Sequence, residues 1–248
     1  MSGEIPIRED EGLDELFDGR IRIIQKKEGY RFSIDAILLA HVSSQFPADS
    51  VIDLGTGSGV IPLILARKTS APRIVGVEVQ KEMADMAGRT IELNGFAERV
   101  SILHEDLRNL NKCFVASSFD LVVSNPPYYP LGEGRINPDE PKAIARHEIM
   151  VKVADIGEVS HYLVKPSGKV IIIFPARRLR ELFSVLQKCN LTPELLQVFY
   201  SHPHEEARLV LVESRKGGNP ELEIKEPFFM YTTEGSYSEE MQRIYNEL

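Results

Sequence analysis

Short apolar runs recur along the middle of the chain at Ser50–Leu54, Arg73–Glu78, Val100–His104, Phe119–Ser124 and Lys169–Phe174, and stretches with a helical repeat, Gly59–Lys68, Lys81–Asn94 and Arg177–Cys189, lie among them. Alternation of this kind predicts right-handed βαβ units and a mainly parallel sheet covered by helices on both faces. The run Val170-Ile-Ile-Ile-Phe174 is apolar at every position, as expected of a strand buried on both sides. Gly95 after Asn94 stops a helix, and Pro166-Ser-Gly168 turns the chain into the next strand. Two later extended stretches, Leu196–Ser201 and Ala207–Ser214, are joined by little more than His202-Pro-His-Glu205, a link too short for a crossover, so they are antiparallel. The expected fold is α/β: a doubly wound, mainly parallel sheet, Rossmann-like, with antiparallel last strands.

Ahead of this pattern, Arg20–Gln25 and Tyr30–Ser33 flank Lys26-Lys-Glu-Gly29 and read as a short hairpin. Ser33 is then placed to cap a helix over Ile34–Val42, with Asp35 in its first turn. The chain divides into an N-terminal hairpin-and-helix extension (1–48), a central α/β domain (49–216) and a C-terminal extension (217–248) with a terminal helix at Ser238–Tyr245.

At 248 residues and 43% hydrophobic, the chain is long enough to bury a sizeable core. Its net charge of −8 and pI near 5.4 exclude a wholly basic surface, so a polyanion has to meet a local patch. Cys113 and Cys189 have neither disulfide-framework nor metal-ligand spacing and read as ordinary buried thiols. The acidic start lacks an apolar signal core, and no run approaches the ~20 apolar residues of a membrane span. A cytoplasmic protein without a membrane anchor is expected.

The candidate chemistry begins at Asp53-Leu-Gly55-Thr-Gly57-Ser-Gly59, which follows the first strand and opens a helix. Glycines here let the backbone turn sharply and approach a ligand closely. The spacing differs from the G-x-G-x-x-G of dinucleotide sites, and a carboxylate two residues before the first glycine would repel a pyrophosphate, so the loop suits a cationic ligand. Glu78 ends the second strand, where a carboxylate can accept both hydroxyls of a ribose; NAD and S-adenosylmethionine share that group. Asp106 follows the third strand, where it can accept from an adenine amino group with Leu107 against the ring, though an acid at such a point also serves as a loop residue or helix cap. All three loops lie at the carboxyl ends of neighbouring strands, where doubly wound sheets bind ligands.

Asn125-Pro126-Pro127-Tyr128 comes at the end of the next strand. Two prolines fix φ and remove two donors, leaving a rigid turn whose carbonyls, with the Asn125 amide oxygen, accept hydrogen bonds, and Tyr128 adds a face for stacking. A planar –NH₂ group held by these acceptors would present its nitrogen lone pair in one direction. The blander reading is a strand terminator; the neighbouring nucleoside-binding edge turns the same residues into an acceptor clamp. Lys26, Lys27 and Arg31, with Arg20 and Arg22, form the candidate phosphate-contact patch or else a solvated face. Arg146 and His147 follow the loop Tyr129–Ala145, whose length suits a substrate-facing cover.

At these residues the chain resembles the class I S-adenosylmethionine-dependent methyltransferases. Lys27-Glu-Gly-Tyr30-Arg-Phe-Ser-Ile-Asp35-Ala-Ile-Leu-Leu-Ala40-His, with Asn125–Tyr128 and Ala145-Arg-His-Glu148, is similar to the bacterial tRNA1(Val) adenine-N(6)-methyltransferase family over roughly Phe17 to Ser214. The resemblance implies a seven-stranded sheet, S-adenosylmethionine as cofactor, no metal, and transfer to the amino group of the adenine next to the anticodon of a tRNA. It implies catalytic roles for Asn125, Pro126, Pro127 and Tyr128. Cofactor contacts would come from Asp53, Gly55, Thr56, Gly57, Gly59, Glu78, Val79, Asp106, Leu107 and Asn125, together with Ser33 and Asp35; tRNA contacts would come from Lys26, Lys27, Arg31 and Arg146. Methylation of a protein glutamine amide and a catalytically inactive, cofactor-binding RNA-binding module are the alternatives; monomer and homodimer are both left open.

Overall fold

The computed structural model of the chain describes residues 5–28, 32–126 and 152–247. A hairpin of β1 (Glu11–Leu16) and β2 (Ile21–Lys26) leads to helix α1 (Ile34–Ser43). Strand and helix then alternate through β3 (Ser50–Leu54), α2 (Val60–Lys68), β4 (Arg73–Glu78), α3 (Lys81–Leu93) and β5 (Val100–His104). A short helical stretch ending in α4 (Leu110–Cys113) precedes β6 (Phe119–Ser124); α5 (Val153–Leu163), β7 (Val164–Pro175), α6 (Leu179–Lys188), β8 (Leu191–Tyr200) and β9 (Ala207–Lys216) follow. The chain ends with two-residue strands β10 (Glu223–Ile224) and β11 (Phe228–Phe229) and helix α7 (Glu239–Asn246).

The main sheet has the order β10-β8-β9-β7-β6-β3-β4-β5, with β11 also beside β8. Seven long strands form it, as expected, and the two short ones extend its edge. Strands β3 to β7 pair in parallel, whereas β9 is antiparallel to both β7 and β8. Strand β8 therefore runs the same way as β7: α6 returns the chain to the starting end of the sheet, and β9 then comes back between the two.

One core layer joins α1, α2 and Ile91 of α3 to one face of the sheet, and Phe17, Met230, Met241 and Ile244 from the two ends of the chain belong to it. The other face packs Ile156 and Leu163 of α5 and Leu182 and Leu186 of α6 against Ile52, Val122 and Ile172. Since β3 and β6 are covered on both sides, their side chains are buried at nearly every position. Cys113 is exposed and Cys189 half-buried, so neither meets the expectation of a buried thiol.

The N-terminal hairpin differs from the expectation. Strand β2 pairs upstream with β1, from Glu11 opposite Lys26 to Leu16 opposite Ile21, rather than downstream with Tyr30–Ser33. The turn is made at Phe17, Asp18 and Gly19, all with positive φ (55°, 55° and 79°), a conformation that Asp-Gly adopts at low cost. Lys27 N then donates to Asp10 O (2.9 Å), so Lys26 and Lys27 lie in or beside the ladder instead of forming a turn. Tyr30 and Arg31 lie outside the described residues; Phe32 N donates to the buried Gln25 side chain (3.0 Å), which sets the chain's entry into α1. Ser33 occupies the N-cap of α1, but its side chain makes no cap hydrogen bond.

Candidate active site at the carboxyl edge of the sheet

Strand β3 lies between β4 and β6, and the chain leaves it in one direction to β4 and later returns on its other side at β6. This is the switch point at which a doubly wound sheet opens a crevice. Gly55, Gly57 and Gly59 follow β3 with φ of 80°, 56° and 80°, a left-handed path that an L side chain would strain. Gly55 N and Thr56 N both donate to Val77 O (3.0 and 2.9 Å), folding the loop over the end of β4. Gly59 also sits against α3: a Cβ there would lie 3.1 Å from the Ala87 Cβ.

Glu78, at the end of β4, is buried, and its carboxylate accepts from Gly57 N (3.0 Å) and Gln80 N (2.9 Å). It braces the glycine loop against the start of α3. A carboxylate has about four acceptor positions, so two bonds leave capacity for the hydroxyls of a ribose. Val79, next in the chain, is half-buried; its carbonyl meets the His104 ring (3.1 Å), and Glu105 N donates to Glu78 O (3.1 Å), tying the third loop to the second.

Asp53 is fully buried, and neither of its carboxylate oxygens has a hydrogen-bond partner among the described residues. Burial pushes its carboxyl up to about 7, the Thr56 hydroxyl drawing it back and the charge of Glu78 adding to the rise. It lies in register with Gly76 on β4, where a Cβ would be 2.8 Å from both Thr56 Oγ1 and Ile102 Cδ1. An interior strand glycine marks such a close approach, here of Thr56 and Ile102 to the β4 backbone. An acid held this deeply beside a second acid is suited to a cationic group.

Asp106 takes the helix-cap role: its side chain accepts from Arg108 N (2.9 Å) and pairs with the Arg108 guanidinium, which holds its carboxyl below the usual carboxylate range. Leu107 is buried in the core beneath, among Leu110 and Phe119, so only a small part of it faces the crevice. Ser33 and Asp35 stand at the start of α1, half-buried and buried respectively.

Across the switch point, Ser124 Oγ donates to Leu54 O (2.8 Å) where Leu54 and Ser124 are in register. This buried bond, which the sequence reading missed, fixes the ends of β3 and β6 together. Asn125, half-buried, and Pro126, buried, therefore start one residue beyond the strand pair that carries Asp53 and the glycine loop. Pro127, Tyr128, Arg146 and His147 lie outside the described residues. Of the hairpin cations, Lys26 pairs with Asp10, Lys27 Nζ donates to Glu9 O (2.8 Å), and Arg22 donates to Leu93 O at the end of α3 (3.2 Å), while Arg20, Arg22 and Lys27 are exposed.

Comparison with known proteins bears on the same span. Residues 34–136, from α1 through the strand end that carries Asn125, match the family model described as the methyltransferase small domain. These residues are similar to that domain. Over 233 residues it is 28% identical to a tRNA1(Val) (adenine(37)-N6)-methyltransferase of Porphyromonas gingivalis, covering 91% of each chain. A protein of the same name from Aeromonas hydrophila is 29% identical over 206 residues, 83% of this chain and 84% of the relative. The solved structure of a predicted O-methyltransferase, Atu636 of Agrobacterium tumefaciens, superposes with a TM-score of 0.69 at 22% identity over 86% of this chain and 96% of that one, a likeness of fold. The matched span thus ends beyond the Asn125 turn, at residue 136. Among the chain's described residues no helix is long and apolar enough to cross a membrane, and no group of three or more His, Cys, Asp or Glu side chains could hold a metal ion.

Proposed function

We propose that the chain transfers a methyl group from S-adenosylmethionine to the exocyclic nitrogen of an adenine in tRNA, the adenine next to the anticodon. The observation that carries this reading is the position of Asn125, one residue beyond a strand pair whose other member leads into the glycine loop and the buried Asp53. The names of the Porphyromonas and Aeromonas relatives support the choice of tRNA and of adenine.

The residues present suit the cofactor: the left-handed glycine loop leaves backbone open to close approach, Glu78 has capacity for two hydroxyls, and the buried Asp53 suits a cation. When bound there, S-adenosylmethionine supplies an electrophilic methyl on a sulfonium. Asn125 and the Pro126 carbonyl would accept the two hydrogens of the adenine amino group. That draws the nitrogen lone pair out of conjugation and aims it, so that an N–C bond forms as the S–C bond breaks and one nitrogen proton then passes to water. Positioning and electrostatics carry such a displacement. Tyr128, three residues beyond Asn125 in sequence, would stack on the everted base.

Incubating the protein with methyl-labelled S-adenosylmethionine and, in separate reactions, total tRNA, total DNA and a release factor tests the reading. Label recovered as N6-methyladenosine from tRNA is expected. Label on a protein glutamine, or on no acceptor, would overturn it.

A further inference from the structure

We propose that the methyltransferase receives the tRNA backbone on a rim beyond β6 formed by Arg180 and Arg208, and not on the N-terminal hairpin; this rests on the tRNA reading above. A chain of net charge −8 repels a polyanion at long range, so binding needs a local concentration of cations near the acceptor clamp. The hairpin does not provide it. Residues 5–28 hold five Lys and Arg (8, 20, 22, 26 and 27) against seven Asp and Glu (9, 10, 11, 14, 15, 18 and 28), and Lys26, Lys27 and Arg22 are already engaged with the protein.

The opposite flank of the clamp is built differently. Ser124, at the end of β6, pairs with Ile172, and β7 runs on to Pro175 before turning through Ala176–Arg178 into α6. Strand β9 starts beside this turn, with Leu209 opposite Pro175, which brings Arg208 next to Ala176. Given a strand spacing of ~4.8 Å and a rise of ~3.3 Å per residue, the rim lies roughly 10–20 Å from Asn125, a distance suited to phosphates flanking an everted nucleotide.

From 176 to 188 the chain carries Arg177, Arg178, Arg180 and Lys188 against one acid, Glu181. Arg178 lies over the Phe174 ring (4.8 Å) and pairs with Glu181 (2.8 Å), which occupies that acid. Arg180 and Arg208 are exposed. Two further acids on this edge are Glu205, which is 3.2 Å from His202, and the exposed Glu206. The neighbouring β8–β9 turn is held by a run of stacked rings, His202 on Tyr231 (5.2 Å), Tyr231 on Tyr237 (5.3 Å) and Tyr237 on Tyr245 (5.2 Å). Guanidinium groups match phosphate geometry, and on a rigid support they lose little freedom when a backbone docks.

Fluorescence anisotropy with end-labelled tRNA tests the assignment across a salt series. For Arg180→Ala/Arg208→Ala the Kd is expected to rise at least tenfold, and the slope of log Kd against log salt to shrink by roughly 1.4–1.8, the loss of two phosphate contacts. S-adenosylmethionine affinity by calorimetry should stay within twofold, while Lys26→Ala/Lys27→Ala changes tRNA affinity less than threefold. Unchanged tRNA binding by the rim variant, or a larger loss in the hairpin variant, overturns the surface and leaves the functional reading standing. An unaltered protein that binds no tRNA overturns both.

Discussion

A carboxylate without a hydrogen-bond partner in a fully buried setting, as at Asp53, costs stability that a domain keeps only where something else gains. Its carboxyl titrates near 7 against 3.8 when exposed, so between those values the native state holds more protons than the unfolded one, and stability falls as pH rises through that window. Asp53→Asn should therefore stabilise the fold at pH 8 by on the order of 3–4 kcal/mol and by little below pH 4, while weakening S-adenosylmethionine binding. Urea unfolding at the two pH values, with calorimetry on the folded protein, checks both; equal stabilisation at both pH values would contradict the assignment. The acid itself was legible from its place two residues before the glycines. Its isolation was not, because that depends on Gly76 across the ladder and on Thr56 packing beside it. Asp106 shows the converse: position suggested a ligand contact, and the neighbouring Arg108 determined what its side chain holds in this structure.

Strands β3 to β6 were legible to the residue, whereas β7 and β8 begin five residues before the runs read at Lys169 and Leu196, so that Pro166-Ser-Gly168 lies inside β7 at a register shift and not ahead of it as a turn. Burial on both faces demands unbroken apolar runs, and β3, β4 and β6 begin and end where those runs do, while β5, at the sheet's edge and only partly buried, still coincides with its run. The hairpin was misplaced because β1, Glu11-Gly-Leu-Asp-Glu-Leu16, is largely polar and owes its place to a specific ion pair. Both oxygens of the buried Glu11 carboxylate accept from Arg89 of α3, at 2.7 Å each, and Arg8 N donates to Glu11 Oε2 (2.9 Å). Removing Glu11 takes two charge-assisted hydrogen bonds from Arg89 but leaves it Asp85 and the Pro6 carbonyl, so Glu11→Ala should cost about 1–3 kcal/mol. The midpoint of chemical denaturation reads it. Arg89 holds the Glu11 carboxyl below its usual 4.5. The stabilisation is then fully present above pH 4.5 and fades as pH falls through the lower native value, so variant and parent should converge in acid. A persistent gap at low pH would mean that packing, not charge, holds the hairpin.

Across the whole molecule, the two ends of the chain share a core with the central sheet and its helices. Phe17 from the hairpin turn and Met230, Met241 and Ile244 from the C-terminal segment are buried with Leu39 and Val51. Large-to-small changes in such positions cost about 2–5 kcal/mol each, against a total stability of about 5–15 kcal/mol. A chain truncated after Lys216 should lose cooperative thermal unfolding; a truncated protein that melts as sharply as its parent would show the last segment to be separable. Sequence could not place this segment, since its strands are two residues long and its burial depends on helices far away in the chain. What unites the scales is the proposed division of the carboxyl edge into a cofactor side on β3 and β4 and an acceptor side on β6. Asn125→Ala tests that division most directly, with S-adenosylmethionine affinity by calorimetry and single-turnover methyl transfer to tRNA measured on the same preparation. Cofactor affinity within about threefold of the parent and transfer slowed by about a hundredfold or more are predicted, comparable to losing one preorganised hydrogen-bonding group. Cofactor binding abolished, with an unchanged transfer rate per cofactor-bound enzyme, would contradict the account.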